Sequence, residues 1–484
     1  MFILLSGWAF FAYAQPANNS PYARYGLGNL NNGANVRSAG VGGMSVAMRE
    51  DSIPYLVNFL NPASYTSIGF TAFDIGVYGN VATISTSSTK QTVNKANLSY
   101  FAFGFPILRI RTRGKIDTSI TLENGKFKRI RSTNKRIFWG GAFGLREFSS
   151  INYTASDSLS GSTNGSFGLT NYKFQGDGGV NQFYIGLGLA PHKNFSIGLN
   201  ASYLFGRMNR IQRVEFTDEN YFNVKSERFT DVGGFYVDYG AQYSLIFNKD
   251  TVRSKDGTPV RKKDGSFKVR KKQHTLIFGG TFAHPMSVRA NSTFFARTYT
   301  LTTFGEDLYR DTIVFNETKG GSIQMPWKFG LGLTWKAGEK WLIGAEHTQE
   351  LWSSFRDADN RNDSLADAWK TAFGVEYKPS VDPSTRGIGA YFGKMHYRLG
   401  GYYAMSQYMI NGTQLPEYGI TLGFGFPLRR TRAGSGKYVQ SMVNLAVEWG
   451  QRGTTSQSLL LENYWNFKLG FTLNDRWFIK RKYD

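Results

Sequence analysis

Cysteine is absent from this chain of 484 residues, so disulfide bonds cannot hold its fold together. Long apolar runs are also absent, because no internal stretch reaches the roughly 20 apolar residues that a membrane-spanning helix needs. The five histidines have no metal-ligand spacing, and neither a His-Glu-x-x-His nor a Gly-x-Ser-x-Gly motif occurs. The sequence excludes a helical membrane protein and predicts no enzyme and no bound metal or cofactor; a lipid hydrolase with dispersed catalytic residues stays open.

The first residues carry an export signal. An apolar core follows Met1 and ends in Ala12-Tyr13-Ala14, the small-x-small pattern of a secretory cleavage site. We predict a signal peptide over residues 1–14, with a buried N-terminal strand as the alternative. An exported chain without cysteine has to rely on apolar burial and backbone pairing.

From residue 70 onward, apolar residues alternate with small or polar ones. Phe73, Ile75 and Val77 would lie on one face of a strand, with Asp74 and Gly76 on the other. This period recurs in about fourteen segments, and an even number of tilted strands is typical of bacterial outer-membrane barrels. We predict an all-β fold, a transmembrane antiparallel β-barrel of about 14 strands over residues 70–484. A soluble sandwich or propeller is the alternative.

Residues 15–69 lack this alternation and are rich in glycine and asparagine. The run Arg37-Ser-Ala-Gly-Val-Gly-Gly-Met-Ser-Val-Ala47 consists largely of small residues that can pack closely against a wall. Asn61-Pro62-Ala63 follows, and proline there ends one kind of structure before the first strand begins. We predict that residues 15–69 form a plug inside the barrel.

The run Ser38-Ala-Gly-Val-Gly-Gly-Met44 followed by Asn61-Pro62-Ala63 resembles the N-terminal hatch of the FadL family, outer-membrane transporters of long-chain fatty acids and other hydrophobic compounds. "PWKFGLGLTW" (326–335) and "HYRLGGYYA" (396–404) agree with the family in the same order. The resemblance covers most of the chain. It implies a porin-like barrel in the outer membrane of a Gram-negative bacterium, in contact with its lipids, that takes up fatty-acid-like molecules passively. The implied hatch residues are Gly40, Gly42, Gly43, Asn61, Pro62 and Ala63.

Three glycines, Gly140, Gly141 and Gly144, fall inside the third predicted strand. Glycine inside a strand weakens the ladder and permits bulges. In the FadL family, a kink in the third strand makes a side opening to the bilayer, and these glycines are the matching candidates. Ordinary barrel-corner glycines are the alternative.

A hydrophobic carboxylate would need a cation in the lumen, because an unpaired buried carboxylate is strongly disfavoured. Arg398 lies on the opposite strand face to Tyr397 and Leu399, and Arg146 and Lys328 have similar settings. We predict these three cations as possible contacts of a substrate carboxylate. Pairing with a structural glutamate such as Glu346 or Glu376 is the alternative for each.

The net charge of +22 is concentrated in three connections. Residues 109–136 hold ten basic and two acidic residues, residues 249–272 ten and three, and residues 429–437 four and none. All three follow even-numbered strands, and such connections return to the periplasm if the chain enters the barrel from that side, so we predict that they share the periplasmic end. Asn124-Gly125 and Asp264-Gly265 indicate hairpins in the first two.

These basic connections leave two interpretations open. They can form a fringe near anionic lipid headgroups, or they can dock a periplasmic or outer-membrane protein partner. No nucleic acid is predicted as a partner. The alternative function is therefore a non-transporting FadL-like barrel that serves as a subunit or carrier in an outer-membrane secretion or assembly complex.

Overall fold

The computed structural model describes residues 20–31, 33–49, 56–111, 119–121, 127–129, 136–159, 169–218, 220–247, 274–379, 387–428, 431–432 and 438–475. Its strands are β1 Asn29–Leu30, β2 Thr71–Ser85, β3 Lys90–Arg111, β4 Ser119–Thr121, β5 Phe127–Arg129, β6 Arg136–Ser150, β7 Tyr153–Leu159, β8 Thr170–His192, β9 Phe195–Phe216, β10 Asn223–Phe247, β11 His274–Ala283, β12 Ser287–Leu301, β13 Asp307–Gln324, β14 Lys328–Ala337, β15 Trp341–Glu350, β16 Ala368–Tyr377, β17 His396–Ile410, β18 Thr413–Pro427, β19 Thr431–Arg432, β20 Tyr438–Val439, β21 Met442–Gly453 and β22 Leu461–Asp475. Two α-helices, α1 Val36–Ala39 and α2 Ile388–Phe392, and 3₁₀ helices at Pro21–Arg24, Pro62–Ser67, Trp352–Ser354 and Ser456–Ser458 complete the described elements.

The long strands form one closed antiparallel barrel of fourteen spans, as predicted. Neighbouring spans are consecutive in the chain, and pairing of β2 with β22, as in Val77 with Leu469, closes the wall. Two spans are interrupted: β11 and β12 form one, and β13 and β14 form the next. In the part of the chain described, no helix is long and apolar enough to cross a membrane.

Alternation along each strand separates an apolar outer face from a mixed inner face. On β8, Phe183, Ile185 and Leu187 are 40%, 54% and 45% exposed, whereas Gln182 and Tyr184, which alternate with them, are buried. The pattern on β2 is the same, since Asp74 is buried while Val77 is exposed. A wall with a continuous apolar outer face suits a lipid surrounding.

The segment before β2 lies inside this barrel. Its side chains and backbone are almost entirely buried and hydrogen-bond to residues on opposite sides of the wall. Arg37 pairs with Glu376 on β16, whereas the Tyr65 hydroxyl meets Asn200 on β9. The first wall strand begins at Thr71, close to the predicted boundary at residue 70. The predicted signal peptide, residues 1–14, lies outside the described residues.

One end of the barrel collects the basic connections. This end, called the basic end, is where β2 begins and β22 ends, and the connections after β3, β10 and β18 return to it. Within the first connection β4 pairs with β5, and within the third β19 pairs with β20, so each contains a short hairpin. The connection at 249–272 lies outside the described residues. The opposite end is called the distal end.

Candidate functional site

The Asn-Pro-Ala motif lies where the internal segment meets the wall. Asn61 is fully buried; its side-chain oxygen accepts from the Ala63 amide at 3.1 Å and caps the 3₁₀ helix Pro62–Ser67. Its amide nitrogen donates to the Val46 carbonyl at 2.6 Å, which joins the two halves of the segment. A Cβ at Gly240 on β10 would lie 2.0 Å from the Asn61 oxygen, so the wall approaches this turn closely.

The small-residue run packs against the opposite wall. Gly42 has φ +77°, and a Cβ there would come within 2.8 Å of the Gly401 carbonyl oxygen and 2.9 Å of that of Phe373. Gly40 lies against Gly423 in the same way, and Gly43 follows at the end of the turn. Only residues without a side chain fit this contact.

Buried charges hold the same run in place. The Glu376 carboxylate on β16 is fully buried and accepts from the Arg37 guanidinium at 2.7 Å and from Arg398 Nε at 3.3 Å. His396 Nδ1 lies 3.0 Å from the same carboxylate. Nearby, Glu346 accepts from the backbone amides of Ser45 and Val46 at 2.6 and 2.7 Å. The segment therefore has charge-assisted bonds to two wall strands.

A cavity of about 330 Å³ is lined by parts of the internal segment and by the inner face of the wall. Seven acidic and six basic side chains contribute to its lining, and most of them are paired with each other. Lys328 pairs with Glu350 at 2.7 Å, and Arg452 pairs with Glu462 at 2.9 Å. This lining is more polar than the apolar lumen that a hydrophobic substrate requires.

The three predicted carboxylate contacts separate in the structure. Arg146 and Lys328 line the cavity, and Arg146 Nε donates to Gln182 Oε1 at 2.8 Å. Arg398 does not line the cavity, because its guanidinium is bound to Glu376 and to Asn444 at 2.9 Å. Arg398 thus follows the alternative in which it pairs with a structural glutamate, and we do not retain it as a substrate contact.

Of the three glycines of the third span, only Gly140 lies against the 3₁₀ helix Pro62–Ser67. A Cβ at Gly140 would lie 2.0 Å from the Tyr65 carbonyl oxygen, and one at Gly144 would lie 2.2 Å from the Phe101 carbonyl oxygen. Gly141 points to the outer face, toward Phe105. From Gly140 to Gly144 both ladders of β6 stay in register, but the ladder with β3 shifts register next to Gly140, between Pro106 and Leu108.

The wall is interrupted further along the same strand. Pairing of β6 with β3 ends at Arg146 and Tyr100, and a register shift follows on the β8 side between Glu147 and Ser149. Beyond this point β6 pairs with β1 of the internal segment. Among the described residues, the β3 stretch 90–99 therefore has a strand partner only on its β2 side.

A carboxylate that the sequence analysis missed occupies this interruption. Glu147 accepts from Tyr78 at 2.8 Å, Asn97 at 3.1 Å and Lys95 at 3.2 Å, which ties β2 and β3 to β6. Asn31 of the internal segment donates to it at 3.3 Å. Adjacent charges at 146 and 147 cannot both face inward on a regular strand, and this was the available signal for a bulge.

The connection at 351–367, at the distal end, packs against the internal segment. Trp352, Phe355 and Leu365 are buried in one apolar cluster with Tyr22 and Leu27 of the internal segment. This connection also carries four aspartates. Its apolar residues fold inward because they cover the segment.

Comparisons with known proteins agree with this architecture. In fold, the chain is similar to the Ralstonia pickettii toluene transporter TbuX, with a TM-score of 0.53 and 11% identity over 91% of this chain and 98% of that one. It is similar to a Pseudomonas aeruginosa FadL homologue, with a TM-score of 0.51, 11% identity and the same coverage. At such identity the likeness concerns the fold alone, so the resemblance to the FadL family holds for the architecture.

No curated protein matches the chain in sequence. A sequence profile described as BamG matches residues 1–114, 133–258 and 266–484, which is most of the chain. The chain therefore belongs to the BamG family.

Proposed function

We propose that this protein is a closed FadL-like barrel in the outer membrane of a Gram-negative bacterium, where it serves as a subunit or carrier in an assembly complex. The observation that carries the proposal is the internal segment in the lumen, which buried ion pairs and hydrogen bonds tie to the wall. The family match, which is to BamG and not to a transporter family, supports the same role.

The energetics of the lumen favour a closed barrel. A path from end to end would require the internal segment to leave the wall, which would uncover Glu376 and Glu346 without their partners. Breaking a buried ion pair costs about 3–5 kcal/mol, because a charge remains buried without compensation. Passive diffusion supplies no energy for such a step.

The basic end provides a docking surface for the proposed role. Two short hairpins, β4–β5 and β19–β20, lie within connections rich in lysine and arginine. Such a surface suits an acidic periplasmic protein or the acidic face of another outer-membrane protein, since complementary charge raises association rates and fixes orientation.

Passive uptake of long-chain fatty acids or other hydrophobic compounds is the second candidate. It is favoured by the cavity, since Arg146 and Glu147 line it and also lie where β3 and β6 separate. In this function Arg146 and Lys328 would contact a substrate carboxylate, and a molecule would leave sideways between these two strands. The internal segment would then act as a hatch.

Two measurements separate the candidates. The purified protein in planar bilayers and liposomes is expected to be electrically silent and to give no uptake of a fluorescent fatty acid. In parallel, tagged protein is extracted from outer membranes in mild detergent, once as wild type and once with residues 119–129 replaced by a short Gly-Ser turn. We expect wild type to retain stoichiometric protein partners and the variant to lose them while its barrel stays heat-resistant.

Saturable fatty-acid uptake that falls in Arg146→Gln would establish the transporter and contradict our proposal. A protein that purifies alone and is silent in bilayers would contradict both candidates. Replacement of residues 86–89 by Gly-Ser is the control, because it alters a turn at the distal end that carries no basic residue.

A further inference from the structure

The short helix α2, at the basic end, carries an apolar face that no described residue covers. Ile388, Tyr391 and Phe392 are 81%, 42% and 53% exposed. Their spacing of i, i+3 and i+4 places all three on one side of the helix. The helix belongs to the connection between β16 and β17, and it is not part of the cavity or of the basic hairpins.

The helix is fixed at the outer side of the wall. The Tyr397 hydroxyl donates to the Phe392 carbonyl oxygen at 2.9 Å, and Tyr397 shares its strand face with Leu399, which is 54% exposed on the outer face. Met395, just after the helix, is buried and holds the turn against the barrel. The apolar side of α2 therefore continues the outer face and does not lie under the lumen.

Aromatic residues of the neighbouring strands lie at the same level. Tyr397 pairs in register with Tyr377, and Tyr377 pairs with Trp341, with ring centroids of these last two 4.4 Å apart. Aromatic side chains at a barrel rim mark the boundary between hydrocarbon and headgroups. Tyr391 and Phe392 of α2 add two more aromatic side chains to those of Trp341, Tyr377 and Tyr397 at this rim.

Basic residues next to the helix suit the headgroup region. Lys394 follows α2 directly, and Lys340 is exposed at the adjoining turn, where its carbonyl accepts from the Lys378 amide at 2.7 Å. Lysines just outside an apolar band attract anionic headgroups by about 1 kcal/mol each. Aromatic continuity and flanking lysines together point to lipid and not to a protein.

We infer that α2 is an interfacial anchor: it lies in the headgroup boundary of the leaflet at the basic end, with Ile388, Tyr391 and Phe392 toward the acyl chains. The inference rests on the membrane location proposed above. An apolar helix face of this kind at the boundary fixes the depth and rotation of the barrel in its leaflet.

Site-directed fluorescence tests the inference in the full chain, which has no native cysteine. Single variants Ile388→Cys and Phe392→Cys are labelled with an environment-sensitive NBD dye in liposomes of phosphatidylethanolamine and phosphatidylglycerol. Quenching by doxyl-labelled lipids is compared with quenching by aqueous iodide. Ala390→Cys, on the other side of the helix, is the matched control, and Leu331→Cys in the wall and Ser88→Cys in a distal turn mark lipid and water.

We expect lipid quenching at 388 and 392 to be at least twofold stronger than at 390 and to approach that at 331. Labels at 388 and 392 that respond only to iodide, with 331 quenched by lipid, would overturn the anchor but leave the membrane location intact. A label at 331 that responds only to iodide would overturn the membrane location as well, so the two failures are distinguishable.

Discussion

Glu376 is the residue on which the fixed position of the internal segment depends most. Its carboxylate faces Arg37, Arg398 and His396 in a fully buried setting. Glu376→Ala leaves two buried guanidinium groups near each other without the shared counter-charge. We expect a loss of about 3–5 kcal/mol in the free energy of unfolding, measured by urea denaturation in detergent micelles.

Glu317→Ala is the matched control for this prediction, because Glu317 pairs with Lys319 in an exposed setting on β13. We expect a change within about 0.5 kcal/mol there. A Glu376→Ala protein as stable as the control would mean that the segment is held by apolar packing alone.

Asp357, in the distal connection at 351–367, gives a pH-dependent prediction. Burial, together with the nearby carboxylates of Asp363 and Asp359, raises the pKa of Asp357 from 3.8 to about 6. Between these two values the folded loop keeps a proton that the unfolded loop has released. This contribution to loop stability is therefore full below pH 4 and is lost as the pH rises through 6.

Carbon-13 NMR of the Asp357 carboxyl in micelles can follow this titration. Asp363→Asn removes a like charge, so we expect the midpoint to move toward lower pH. A midpoint near 4 in the wild type would show that water reaches the carboxyl freely.

At the level of elements, the fit between the 3₁₀ helix Pro62–Ser67 and strand β6 can be tested with two adjacent glycines. In Gly140→Val the new side chain collides with the Tyr65 backbone, whereas in Gly141→Val it points outward to the flexible side chains of Ile107 and Phe105. We expect Gly140→Val to lose at least about 2 kcal/mol and to expose the segment to protease. Gly141→Val should behave as wild type.

Equal behaviour of the two variants would contradict this assignment. If both variants fold normally and both reduce uptake of a hydrophobic probe, the glycines act as the kink that the FadL resemblance implied. The two variants therefore show whether these glycines of β6 provide a contact surface for the 3₁₀ helix or form a lateral exit, and neither variant alters a residue that lines the cavity.

The same elements show what the sequence could and could not predict. Alternation identifies which side of β8 faces outward, because Phe183, Ile185 and Leu187 are purely apolar, whereas Gln182 and Tyr184 carry polar groups. It cannot show that β6 leaves β3 after Arg146, since that depends on Glu147 meeting Lys95 and Asn97 from other strands. The inward folding of Trp352 and Phe355 could not be predicted for the same reason, because it depends on their packing with Tyr22 and Leu27 of the internal segment.

Arg398 illustrates the limit at the site. Its position on an inward face followed from the strand period, but its partner is Glu376 on the neighbouring strand, and a sequence does not give the register that brings them together. Charged residues of a lumen therefore cannot be divided into structural and ligand-binding ones before the pairing is known.

At the scale of the whole molecule, the charge asymmetry predicts an orientation. The connections after β3, β10 and β18 all return to the end where the first span begins. If the chain enters the barrel from the periplasm, this basic end should face the periplasm. Cysteine at Ser88, at the distal end, should react with a membrane-impermeant thiol reagent on intact cells. Cysteine at Gly125, between β4 and β5, should react only after the outer membrane is permeabilised; labelling of Gly125 on intact cells would reverse the orientation.

The contacts of Tyr22 bear on the order in which the protein is built. Its hydroxyl donates to the carbonyl of Leu460, 438 residues later in the chain, and the Leu460 amide donates back to that hydroxyl. The internal segment is made first, yet its distal part has no final partner until the last span arrives. Contacts of such separation form slowly, because a long loop has to close before they stabilise anything. We therefore expect the wall to close around a segment that is already present, and the lumen to reach its final packing only as the last step of maturation.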